Sequence, residues 1–346
     1  MNAEHTLRTS ANSHLCVADR APGSLVIFRA LQLGDMLCAV PALRALRAAL
    51  PTTRIVLVGL PWATQFAGRF AGYIDAFLAY PGHHGLPEQP VQDRLVAPFY
   101  AAITSNKFDL ALQLHGSGEI TNAIVQSFGA RCVAGFGIPM RPAGKDDYFY
   151  PYPDCGPEPL RLLELTQQLG APTIGVHLEF PITDADEREL AASGIASGLR
   201  AGTYLCVHPG ARWRDKCWPP QLFAQVADRL AAEFGLQVVL TGSADEAALT
   251  AEVARHMRTP ALDAAVPMSI GAMAALMSRS RLLLCNDTGV SHIAAGLRLR
   301  SVVIFSKADI RRWAPLDQQH HKCLWDPAGE RADEVLEHAR VLLCGV

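Results

Sequence analysis

The chain has 346 residues, of which 50% are apolar and 18% charged. That is too hydrophobic for intrinsic disorder and long enough for about two domains. Lys and Arg total 31 against 33 Asp and Glu, so the basic surplus of a nucleic-acid binder is missing. The nine cysteines include no CxxC pair, Cys206 and Cys217 being the nearest two. This excludes zinc-ribbon and thioredoxin motifs and fits thiols in a reducing cytosol.

Residues 1–23 are polar and lack the apolar stretch of a signal peptide; they read as a flexible extension. A bilayer span needs ~20 apolar residues. The best run, Ala264 to Ser278, is short and holds Pro267 and Gly271. A cytoplasmic protein is expected, soluble or bound at a membrane surface.

From residue 24 onward, strand-like and helix-like segments alternate. SLVIF (24–28) is a buried-strand run, followed by the LQLGD turn and a helix over 36–50 that ends at Pro51. RIVLVGL (54–60) and FDLALQL (108–114) are strands, and TNAIVQSF (121–128) is a helix stopped by Gly129. The Pro-rich stretch 147–159 reads as loop and 160–169 as helix. The pattern restarts at TYLCVHPG (203–210), with an amphipathic helix over 221–234 and a strand over 236–242. A helix over 245–257, strands over 281–287 and 300–306 with a short helix 289–297 between them, and a last amphipathic helix over 331–343 complete it.

Such alternation predicts an α/β protein built of two Rossmann-like αβα domains facing a central cleft. The front domain would span 24–180 and the rear domain 181–329. Strand ends followed by helix N-termini favour phosphate groups.

Several motifs fail on inspection. His115-Gly116-Ser117-Gly118 begins like GxGxxG but has Thr121 at the third glycine; Gly144-Lys145 lacks the rest of a P-loop. Asp184-Ala185-Asp186 is a DxD that could bind a metal, although Asp184 with Glu187 also suits a helix capping box. There is no HExxH and no GxSxG.

Three segments carry chemistry. Leu33-Gly34-Asp35 follows the first strand; Asp35 reads either as a helix N-cap or as a general base at the cleft lip. His208 to Pro219 holds Arg212, Arg214 and Lys216 in five residues. That loop is either solvated or a phosphate clamp. Asn286 to His292 puts a small polar turn between a strand and a helix. Its backbone N–H groups, Thr288 and Ser291 could cradle an anion, or Asp287 could be only a cap.

Together these segments resemble glycosyltransferase family 9, the lipopolysaccharide heptosyltransferases and their relatives. The resemblance rests on LxxLGDxLxxxPALRALRxxxP (Leu31 to Pro51), HPG…DKxWP (His208 to Pro219) and NDTGxSHxAA (Asn286 to Ala295). It implies a GT-B fold, with the final helix (330–346) packing back on the front domain, and inverting sugar transfer with no metal and no cofactor beyond a nucleoside-diphosphate sugar, ADP-heptose being favoured. Asp35 would be the base, with Gly34 and His115 on the acceptor side. Lys216, Arg212, Thr288, Gly289 and His292 would take the donor diphosphate. Asp287, His208, Gly210 and either Asp245 or Glu246 would take the nucleoside or sugar. A bacterial glycolipid or saccharide would be the acceptor, and no nucleic-acid partner is expected. Two other readings share the cleft: a sugar-nucleotide 2-epimerase, which needs no acceptor, and a non-catalytic nucleotide-binding module.

Overall fold

The structure, a computed structural model, describes residues 21–137 and 147–345. The Gly144-Lys145 pair and nearly all of the 1–23 extension lie outside the described residues. The front lobe runs β1 (Ser24–Phe28), α1 (Leu33–Cys38), α2 (Val40–Ala49), β2 (Arg54–Gly59), α3 (Thr64–Arg69), β3 (Ala76–Ala79), α4 (Asp93–Ser105), β4 (Leu110–Gln113), α5 (Thr121–Gln126), β5 (Cys132–Phe136), β6 (Tyr148–Tyr150) and α6 (Glu158–Gln168). The rear lobe runs α7 (Asp184–Ser193), β7 (Tyr204–His208), α8 (Pro220–Phe234), β8 (Gln237–Leu240), α9 (Ala247–His256), β9 (Ala261–Asp263), α10 (Ile270–Ser278), β10 (Leu283–Asn286), α11 (Gly289–Leu297), β11 (Ser301–Phe305), α12 (Ile310–Trp313), β12 (His321–Trp325) and α13 (Ala332–Cys344).

Each lobe holds a six-stranded parallel sheet, ordered β3-β2-β1-β4-β5-β6 and β12-β11-β10-β7-β8-β9. The two orders are the same once the rear lobe is renumbered from β7. In each, the chain switches direction beside its first strand, between β1 and β4 and between β7 and β10. The loops leaving the strands at such a switch open a crevice. The three chemistry-bearing segments leave β1, β7 and β10, so the topology alone carries them to the two crevices.

The central strands are buried on both faces, which is why they read as unbroken apolar runs. Leu25 and Ile27 point into one cluster, while Val26 and Phe28 point into another on the opposite face. The first of these clusters is continuous with the rear lobe. Met36 and Leu37 of α1 share it with Val290 and Ile293 of α11 and with Cys206 and Cys285.

Three expectations are corrected. The helix expected over 36–50 is two helices, broken at Ala39, because Pro41 lacks an N–H and is accommodated only in the first turn of a new helix. The stretch 147–159 is not all loop: Tyr148–Tyr150 pairs with β5 as an edge strand. The final helix does not return to the front lobe. α13 buries Val335, Leu336, Ala339, Leu342 and Leu343 in the rear core against α8. Arg300 and Arg281 donate to the carbonyls of Leu342 and Leu343, holding its end there. The short Asp326–Arg331 turn after β12 leaves no chain to cross with.

Between α6 and α7 the connection is stapled from the front lobe. The Arg44 guanidinium donates to the carbonyls of Ile174, Gly175 and His177 at 2.9, 3.1 and 3.0 Å. The DxD is structural. Arg69 reaches both oxygens of Asp186, at 2.6 and 3.0 Å. The capping pair is Thr183 with Asp186, each accepting the other's backbone N–H, and not Asp184 with Glu187. Among the described residues no helix is long and apolar enough to cross a membrane.

Candidate active site

The crevices of the two lobes face each other across one cleft of about 780 Å³. Gly34 and Asp35 line it from the front; His208, Arg212, Lys216, Glu246, Asp287, Thr288, Gly289 and His292 line it from the rear. Gly210, Asp245 and His115 do not reach its surface.

Asp35 is the third residue of α1, so the cap position belongs to Gln32, whose backbone N–H donates to the Asp35 carboxylate. The plain N-cap reading therefore does not hold. Beneath it lies the buried Arg29 guanidinium. Arg29 donates to the Asp35 carbonyl from Nε and Nη2 (3.0 and 2.7 Å), to the Leu114 carbonyl, and to Glu158 Oε1 at 3.2 Å. Glu158 Oε2 in turn accepts from Arg312 Nε of the rear lobe at 3.0 Å. Burial raises the Asp35 carboxyl above its ordinary pKa, Arg29 opposes the shift, and Glu158 adds to it. A raised carboxyl is a stronger proton acceptor once ionised, which suits a base.

In the rear wall, one side chain joins two of the sequence segments. Asn286, at the end of β10, donates from Nδ2 to the Pro209 carbonyl at 2.7 Å and accepts from the Trp218 N–H at 2.9 Å. It thereby closes the loop that carries Lys216. Trp218 is buried, and its indole N–H donates to Asp326 at 2.8 Å. Of the loop's three cations only Arg212 and Lys216 face the cleft. Arg214 turns out to Glu252 at 2.7 Å. Lys216 Nζ lies 3.8 Å from Asp287 Oδ2.

Burial lifts the Asp287 carboxyl to a pKa of about 6; Lys216 opposes the shift and the charge of Asp35 adds to it. The carboxylates of the two lobes thus act on one another across the cleft. Asp287 is not the helix cap. Thr288 is, its hydroxyl accepting from the Val290 N–H at 3.1 Å. Ser291 is buried and donates to the Thr288 carbonyl, so its hydroxyl serves the first turn of α11.

His292 is buried, with Nδ1 3.7 Å from Cys38 Sγ and its ring edge-on to Trp313. Burial lowers its pKa to about 4, so it is neutral at pH 7. His208 Nδ1 sits 3.2 Å from the Thr241 hydroxyl; burial lowers its pKa and Glu246 opposes the shift. Between Asp245 and Glu246, the structure puts Glu246 in the cleft. Its carboxylate accepts from the Ser243 N–H and hydroxyl at 2.8 and 3.0 Å. Gly210 leaves room for it, since an added Cβ would overlap the Glu246 carboxylate.

Sequence reasoning missed part of the front wall: Trp62, Glu88 and Gln89. No periodicity or motif marks them, because Glu88 and Gln89 lie in a Pro- and Gly-rich loop. That loop is ordered by Gly82 at φ 97°, by Gln89 Nε2 donating to the Tyr80 carbonyl (2.7 Å) and by the Gln92 N–H donating to Pro81 (2.8 Å). His115 acts at one remove. It stacks on Phe28, and its Nδ1 accepts from the Ala30 N–H at 3.3 Å. In the neutral ring this leaves the proton on Nε2, which faces Glu88 Oε1 at 3.7 Å. Burial pushes the Glu88 carboxyl up, but His115, its own backbone N–H and Arg212 outweigh this and hold it below its ordinary value. Among the described residues, no three His, Cys, Asp or Glu side chains are gathered as a metal ion would need.

Comparison with known proteins agrees with this fold. The fold matches the crystal structure of a family 9 glycosyl transferase from Veillonella parvula (TM-score 0.80, 21% identity, 94% of this chain and 98% of that one). It also matches the Escherichia coli ADP-heptose lps heptosyltransferase II (TM-score 0.73, 20% identity, 93% and 98%). In sequence, the lipopolysaccharide heptosyltransferase 3 of Escherichia coli is 31% identical over 131 residues. That is 37% of this chain and 37% of that protein, so the chain aligns with little more than a third of the relative's length. The profile of glycosyltransferase family 9 (heptosyltransferase) matches residues 96–338, a stretch that holds Lys216 and Asp287 but not Asp35. With more than two thirds of its length matched by that profile, the chain belongs to glycosyltransferase family 9.

Proposed function

We propose that the chain is an inverting, metal-independent glycosyltransferase. It would move a heptose from a nucleoside-diphosphate sugar, ADP-heptose by the names of its relatives, to a hydroxyl of a bacterial glycolipid or saccharide. The observation that carries this reading is the shared cleft, with Asp35 on one wall and Lys216 and Arg212 on the other. Asp35 takes the proton of the acceptor hydroxyl. The acceptor oxygen bonds to the anomeric carbon from the face opposite the leaving group. The bond from that carbon to the diphosphate oxygen breaks, and the electron pair leaves with the nucleoside diphosphate. Lys216, Arg212 and the start of α11 stabilise the charge that grows there. Acceptors carried on lipid would be met at the cytoplasmic face of the inner membrane.

Asp35→Asn tests the base and Lys216→Ala tests the clamp. General-base loss costs about 10²–10⁴ in rate; D35N should lose that in kcat while calorimetric ADP affinity stays within twofold. K216A should lose both rate and ADP affinity. Wild-type kcat in D35N, or unchanged ADP affinity in K216A, would sink the corresponding assignment.

A further inference from the structure

The two walls of the cleft differ in charge. Every cation among its described lining residues, Arg212 and Lys216, comes from the rear lobe. The front wall instead presents two carboxylates, Asp35 and Glu88, beside Trp62 and Gln89. Arg29, the guanidinium beneath Asp35, is already engaged by two backbone carbonyls and Glu158.

Two residues of the front wall each carry a polar atom without a partner. Glu88 Oε2 and Trp62 Nε1 are both buried and make no hydrogen bond. One is an acceptor and the other a donor. A sugar hydroxyl can both donate and accept, so one class of group satisfies both atoms. The flat apolar face of an indole suits the C–H face of a sugar ring. A phosphate in the same position would meet two negative charges with no free front-wall cation among the described residues; the cation that acts on Glu88, Arg212, belongs to the rear wall.

Resting on the transferase reading above, we infer that the acceptor portion entering the cleft is an unphosphorylated sugar, neutral or amine-bearing, selected by Glu88 and Trp62. Glu88 is then a specificity residue that accepts from acceptor hydroxyls.

The test is binding of the full chain, with ADP present, to an array of bacterial oligosaccharides in matched unphosphorylated, phosphorylated and amine-bearing sets. Wild type should bind the unphosphorylated or amine-bearing members at least tenfold better than their phosphorylated counterparts. A hydrogen bond to a charged group is worth about 10- to 100-fold; Glu88→Gln should lose that much on the preferred members. Glu88→Lys should narrow or invert the preference, since a cation suits phosphate. Thermal melting of each variant reports that the fold is kept. Preference for phosphorylated members, no binding to any member, or the same preference in wild type and a folded E88K overturns the inference. Transfer from ADP-heptose, followed separately in solution, reports on the transferase reading. Selective binding without transfer would end that reading and leave the selectivity of the wall standing.

Discussion

Gly34 of the front lobe and His292 of the rear lobe are in contact: a methyl group placed on Gly34 would lie 2.8 Å from the imidazole Cδ2. The ring has little room to retreat, being buried between Cys38 and Trp313. The same methyl would stand 3.4 Å from the Gly289 Cα. Two of the three chemistry-bearing segments therefore meet through their smallest residues, and this contact sets the distance from Asp35 to the start of α11.

Gly34→Ala should disturb that contact. Overpacking of this kind costs about 1–3 kcal/mol. The melting midpoint should fall by several degrees, and turnover should fall with it because Asp35 is the next residue. A variant that melts and turns over like wild type would show that the lobes separate at this point without consequence.

Asn286→Ala should act on Lys216 from a distance. It removes the side chain that accepts from the Trp218 N–H and donates to the Pro209 carbonyl. Each buried group left unpaired costs about 1–3 kcal/mol. ADP affinity should weaken although Asn286 does not line the cleft, and the loss should be smaller in K216A, where the loop no longer positions an ammonium. A double-mutant cycle with additive losses would separate Asn286 from the clamp.

The parts of this site that were legible in the sequence are those where chain geometry and chemistry coincide. A buried parallel strand must be a short apolar run, and a glycine or small polar turn must follow if a helix is to start at once. Hence β1, β10 and α11 stand where expected. Glu88 was invisible because its place is set by a loop closed through side chain-to-backbone bonds, which leave no period. The partner of α13 was misread because an amphipathic helix records that it has an apolar face, not which lobe receives it. Arg214 and Lys216 look equivalent in sequence. Only the 3₁₀ turn over Arg214–Lys216 sends one outward to Glu252 and the other toward Asp287.

Asp287 should make stability depend on pH. Its folded pKa of about 6 lies above the usual aspartate value of 3.8, so the ligand-free folded chain holds this proton more tightly than the unfolded chain does. The contribution is complete below the unfolded value and is lost as pH rises through about 6. A shift of this size corresponds to roughly 3 kcal/mol, and the side chain is only 11% exposed. The stability of wild type relative to Asp287→Asn should therefore decline between pH 4 and pH 6.5, as read by urea denaturation. A flat difference across that range would mean that Lys216 neutralises Asp287 fully.

Glu158 ties the base to the rear lobe, and it and Arg312 should be separable by the sign of their effects. Arg29 holds the backbone of Asp35 from one side of Glu158, and Arg312 reaches it from the other. Removing the Glu158 charge leaves Arg29 buried without its counter-charge, a change that costs about 3–5 kcal/mol when a buried pair is broken. It also removes a negative charge that raises Asp35, so in Glu158→Gln the acid limb of kcat/KM should move to lower pH. Arg312→Gln does the reverse. It takes away a cation that offsets Glu158 and that itself interacts with Asp35, so the acid limb should move to higher pH. The loss of stability should be smaller, because Arg29 still pairs with Glu158. Opposite displacements of the limb identify Glu158 and Arg312 as positioning residues that set the basicity of Asp35. Displacement in the same direction, or in neither variant, would reduce the network to a structural tie between the lobes.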